Sequence, residues 1–223
     1  MRVGFCFALS SAACGGPELG DIVGNEVNLT MTAVASAPEV AAIGESQGGL
    51  GVSRAYVSTS SLSLMPCAEN ASSLTLGARG YDLLQEPSPN ERVTTASWQL
   101  CGLRLDVDPV SESAVDGVPK GSSLYVEGQD AAGATFTLAS ERSWALLFTP
   151  DEAASFGEQP LLLGFDVSLW LAGLPLPAKQ AEMSGKPFAD QLQESAALYV
   201  DSNGNRVLDD DEKTPVARAR AAR

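Results

Sequence analysis

Leu124-Tyr125-Val126-Glu127-Gly128-Gln129, Asp130-Ala131-Ala132-Gly133 and Ala134-Thr135-Phe136-Thr137-Leu138 follow one another without a break, and their reading decides the fold. Apolar and polar side chains alternate along both arms, as half-buried strands require. The connector ends in a glycine, which can take the positive φ of a tight reversal. The stretch predicts a β-hairpin.

The same alternation recurs on either side. Strands are predicted at Val27–Val34, Arg54–Met65, Ser73–Ala78, Ala96–Val107, Ser122–Gln129, Thr135–Ser140, Trp144–Thr149 and Pro160–Leu171, with Gly, Pro, Asn and Asp between them. In the fourth of these the phase slips near Gly102, which predicts a β-bulge. The link from Ala35 to Gly51 reads as a loop or a weak helix. Trp98, Trp144, Trp170, Tyr56, Tyr81 and Tyr125 lie on strand faces and read as core. No long helical run separates the strands, so residues 26–180 are expected to form an antiparallel β-sandwich, in a mainly β fold, rather than an α/β sheet.

Composition agrees with a folded chain. The 223 residues are 44% hydrophobic and 19% charged, far from the signature of disorder. A net charge of −14 repels phosphate backbones, so nucleic acid is not expected as a partner. There is no histidine, which removes the commonest general base and the third member of Ser and Cys hydrolase triads. The chain is read as a binding protein, not an enzyme. The alternatives are a carbohydrate-active hydrolase working through carboxylates such as Asp106, Asp108 or Asp166, and a calcium-dependent adhesion or sugar-binding module.

Met1-Arg2, the apolar run Val3 to Leu9 and the small residues Ser10-Ser11-Ala12-Ala13 predict a signal peptide over residues 1–13. The run is far shorter than the roughly 20 residues that span a bilayer. Cys14-Gly15-Gly16-Pro17 after small residues resembles the lipobox of bacterial lipoproteins. The resemblance implies lipidation of Cys14, a membrane anchor, a cell-envelope location and a flexible tether over residues 14–25, with a soluble secreted protein as the alternative. The partner it would meet there is an unidentified protein or glycan. In an oxidising compartment Cys67 and Cys101, the remaining cysteines after Cys6 and Cys14, are expected to form a disulfide.

After Pro187, Phe188, Leu192, Ala196 and Tyr199 or Val200 fall at helical spacing and predict a short amphipathic helix that runs into the next segment. That segment, Asp201-Ser202-Asn203-Gly204-Asn205-Arg206-Val207-Leu208-Asp209-Asp210-Asp211-Glu212, resembles the loop of an EF-hand. The resemblance implies calcium, held by the side chains of Asp201, Asn203 and Asn205, the backbone carbonyl of Val207, Asp209 through water, and Glu212. Arg206 stands where the family usually has glycine. Lys213-Thr214-Pro215 leaves little room for an exiting helix, so an isolated calcium loop is expected within residues 181–214. The basic tail, residues 215–223, shows no apolar periodicity and is expected to fray.

Overall fold

A computed structural model describes residues 25–34, 40–42, 50–68, 72–95, 99–109, 115–130, 132–150, 155–156, 159–171, 181–182 and 186–222. The signal peptide, Cys14 and Trp98 lie outside them. In chain order the elements are β1 (Asn25–Val34), β2 (Val40–Ala42), β3 (Leu50–Pro66), β4 (Leu74–Leu76), β5 (Arg79–Asp82), β6 (Asn90–Thr95), β7 (Leu100–Val107), β8 (Leu124–Gln129), β9 (Thr135–Ser140), β10 (Trp144–Phe148), β11 (Leu161–Asp166), α1 (Val167–Leu171), β12 (Ala181–Glu182), α2 (Lys186–Ser195), β13 (Ala196–Val200) and β14 (Ala217–Ala221). The fold is mainly β. Among the described residues no helix is long and apolar enough to cross a membrane.

The hairpin forms as the sequence predicts. Leu124 to Gln129 pair antiparallel with Ser140 to Thr135, and Gly133 sits at φ 79. The Asp130 carboxylate accepts the N–H groups of Ala132 and Ala134 at 2.9 and 2.8 Å, which holds the turn. The bulge is also present: Met65 faces Gly102 while Pro66 faces Leu100, leaving Cys101 as the extra residue. A Cβ at Gly102 would stand 2.2 Å from the flexible end of Met65 and 3.3 Å from the Phe148 carbonyl, so the close approach of β10 favours glycine there.

The strands run in the order β12-β9-β8-β3-β7-β10-β14-β13-β11-β1-β6, with β2, β4 and β5 also on β3. This sheet is curled. Leu83 donates its N–H to Ala55 of β3 at 2.8 Å and accepts from Ala33 of β1 at 3.1 Å, tying the two halves together away from the strand path. One apolar cluster fills the space between them, with Val27, Leu29 and Met31 from one half and Leu62, Leu64, Leu103 and Leu105 from the other. Trp170, Tyr56, Tyr81 and Tyr125 are buried and Trp144 packs against the cluster.

Several expectations are corrected. The sheet is mixed, because β1 pairs parallel with β11, β2 with β3 and β12 with β9. β1 and β11, like β9 and β12, are far apart in sequence and need no hairpin, so antiparallel order is not imposed on them. Within the Ala35 to Gly51 link, Val40–Ala42 is a strand. Predicted strand Ser73–Ala78 shrinks to β4, and Asn90–Thr95 pairs with β1 although the sequence reading left it out. The predicted strand Pro160–Leu171 breaks at Asp166, whose carboxylate accepts the Ser168 N–H at 3.0 Å as a helix cap and starts α1.

The largest correction lies at the carboxy terminus. The helix ends at Ser195, where the side-chain hydroxyl donates to the Leu192 carbonyl at 2.7 Å and accepts from Trp170 Nε1 at 2.7 Å. Ala196–Val200 then pairs with β11 instead of continuing the helix. The tail does not fray: Ala217–Ala221 is a strand bonded to β10 on one side and β13 on the other. Ala217 and Ala219 are buried in the core while Arg218 and Arg220 face solvent.

Candidate metal centre

The calcium-like loop joins β13 to β14, two antiparallel neighbours, so it is flanked by strands and not by the helices of an EF-hand. Its ends are fixed. The Asp201 N–H donates to the Pro160 carbonyl at 2.9 Å, and the Val216 N–H donates to the Leu198 carbonyl at 2.8 Å.

Between these anchors the side chains fold the loop upon itself. Asp201 is 1% exposed, and its two carboxylate oxygens accept from Gly204 N–H at 2.7 Å and Arg206 N–H at 3.0 Å. Asn203 Oδ1 accepts from Asn205 N–H at 2.9 Å, and Asn205 Oδ1 from Val207 N–H at 2.7 Å. The amide nitrogens of both asparagines donate to Asp209 Oδ2, at 2.7 and 2.8 Å. Glu212, also buried, accepts from the Ser202 backbone at 2.7 Å and from its hydroxyl at 2.6 Å. That hydroxyl bond, with further backbone N–H donors, holds the Glu212 carboxyl below the usual glutamate range.

All six sequence-predicted positions therefore belong to one hydrogen-bonded turn. The chemistry of the donor set, oxygen throughout, suits a hard cation. Among the described residues no three His, Cys, Asp or Glu side chains gather into a metal-binding group, so the carboxylates of Asp201, Asp209 and Glu212, although in one turn, do not converge on a single point. Ser202 was not foreseen as a partner of Glu212, and nothing in its sequence position signals that role.

Arg206 has φ 65, the one non-glycine residue with positive φ among the described residues. The arginine thus holds a left-handed backbone, at a cost of roughly 1 kcal/mol. Arg206→Gly is expected to leave the stability unchanged or raise it by up to about 0.6 kcal/mol, after the extra unfolded-state freedom of glycine is subtracted. A urea titration reads this as an equal or higher midpoint at unchanged slope; a lower midpoint would mean that the arginine side chain contributes more packing than its backbone loses.

The carboxylates proposed for hydrolysis are spent separately. Asp106 accepts from Ser61 Oγ at 2.7 Å and from Arg104 at 2.9 Å. Burial pushes its carboxyl up, but those two donors and the Arg104 charge outweigh it and leave the group below its ordinary value. Asp108 takes the Ser60 hydroxyl, from the residue that a register shift inserts into β3, and Asp166 takes Ser168.

The Cys67–Cys101 disulfide is present, with Cα atoms 4.8 Å apart. It links the chain just beyond β3 to the bulged residue of β7.

Beside the loop a cavity of about 510 Å³ opens between the end of β1, the segment Leu83–Ser88 and Asn205–Val207.

No family model matches the chain, and no curated protein matches it. Among solved structures the chain is similar to MbnP from Methylosinus trichosporium, with 11% sequence identity, a TM-score of 0.44 and coverage of 89% of this chain and 99% of that one. At that identity and TM-score the likeness assigns neither a family nor an activity to this chain.

Proposed function

We propose that this chain is an exported cell-envelope protein, anchored to the membrane through a lipid on Cys14, that binds a protein or glycan partner and uses calcium to fasten the β13–β14 loop. The observation that carries the calcium reading is the left-handed backbone of Arg206 within a turn organised by Asp201, Asn203 and Asn205. A strained conformation of this kind persists where its surroundings over-determine it. The disulfide supports export, since such bonds persist in oxidising compartments.

Calcium would act as a fastener rather than a signal, because a lone site has no partner hand to open. Its ligands begin and end the link between β13 and β14, and β14 joins the two halves of the sheet. Three carboxylates and two amides imply an affinity of about 0.1 to 1 mM. At ~5 mM calcium, binding of that strength adds about 1 to 2 kcal/mol, a rise in melting temperature of roughly 2 to 8 °C. Melting curves that coincide in calcium and in chelator would refute this part. Labelling of cells with a radioactive fatty acid, lost in Cys14→Ala, is the expected result for the anchor; an unlabelled wild-type protein would refute it.

A further inference from the structure

The cavity beside the loop is lined by two of the candidate calcium ligands, Asn205 and Val207, and by further residues that the calcium reading does not use. Ala33 and the segment carrying Leu84, Glu86 and Pro87 line it from one side, and Arg206 and Val207 from the other. Arg206 is half-buried. Its backbone N–H is engaged by Asp201, but among the described residues its guanidinium takes part in no ion pair. Such a cation is available to an anion that enters the cavity.

The loop itself would be better served by glycine at this position. Keeping an arginine there makes sense if its side chain has work outside the turn. The surroundings say what kind. Leu84, Pro87 and Ala33 offer apolar surface, and Val207 is 56% exposed, an unusual state for a valine next to a cavity. Glu86, exposed on the opposite side, disfavours a second negative charge on the ligand.

We propose that this cavity binds an amphipathic monocarboxylate, with its carboxylate on the Arg206 guanidinium and its apolar body against Ala33, Leu84, Pro87 and Val207. The volume of about 510 Å³ accommodates a medium-length acyl chain or a molecule of similar bulk. Binding does not depend on the calcium reading. The assay is therefore run in chelator, so that the two fail separately.

The probe is dansyl-labelled undecanoic acid added to the full chain, read by fluorescence enhancement. Saturable binding is expected, weakened at least about tenfold both by Arg206→Gly and by replacing the acid with its methyl ester. Leu84→Asp is expected to weaken it comparably. A urea titration of Arg206→Gly, with a midpoint expected no lower than that of the wild type, separates its loss of binding from unfolding. No saturable binding to the wild type, an ester that binds as tightly as the acid, or Arg206→Gly binding within twofold of wild type would each overturn the proposal.

Discussion

Removing residues 217–223 is expected to abolish cooperative folding. These residues supply β14, which bonds to β10 through Leu146, Leu147 and Phe148 and to β13 through Ala197 and Leu198. Without it two strand edges in the middle of the sheet lose their partners, and the buried backbone groups exposed there cost free energy comparable to a lost hydrogen bond each. The core is also opened, since Ala217 and Ala219 belong to it. Several such losses together are comparable to the 5 to 15 kcal/mol by which domains are typically stable. The truncated chain should show no near-ultraviolet circular dichroism and no melting transition. A point variant gives the same answer more gently: Ala219→Asp places an unpaired charge in the core and is expected to cost several kcal/mol. A truncated chain that melts cooperatively near the wild-type temperature would mean that β14 is an accessory strand.

The second large effect is expected from the disulfide. Cys67→Ala combined with Cys101→Ala releases a loop spanning 34 residues. The chain-entropy relation puts the loss at about 3 to 4 kcal/mol, a large share of a typical stability. The bond also pins the bulge at which β3 and β7 slip register, so the ladder beyond Met65 loses its tie. A guanidinium titration of the oxidised wild type against the double variant measures the difference directly. A change under about 1 kcal/mol would show that the sheet around Pro66 and Leu100 closes that loop unaided.

How much of this was legible follows from how locally each feature is encoded. The β8–β9 hairpin is written in adjacent residues, Leu124 to Ser140, and the Gly102 bulge in a slip of alternation, so both could be read. The calcium-like turn was equally legible, because Asp201 to Glu212 is contiguous. Its setting was not. Ala196-Ala197-Leu198-Tyr199-Val200 fits a helical continuation as well as a strand, and only pairing with β11 decides between them. The tail has the strand period in Ala217-Arg218-Ala219-Arg220-Ala221, but alanine carries too little hydrophobic weight to reveal it beside two arginines. In Leu161 to Leu171 a mainly apolar run hides the change from strand to helix, and Asp166, which interrupts it with Ser168 and caps the helix, is the signal to look for. The cavity could not have been read at all, since its walls come from three segments, at Thr32 and Ala33, Leu83–Ser88 and Asn205–Val207, that are far apart in sequence and meet only in the folded chain.

The same turn carries the central claim, so calcium binding to the purified chain is the measurement that bears on it most directly. Titration calorimetry is expected to give one site per chain with a dissociation constant of about 0.1 to 1 mM, magnesium binding far more weakly, and Asp201→Asn and Glu212→Gln each abolishing the heat while the chain stays folded. A folded wild-type chain that gives no heat with calcium, or variants that bind as the wild type does, would contradict the account.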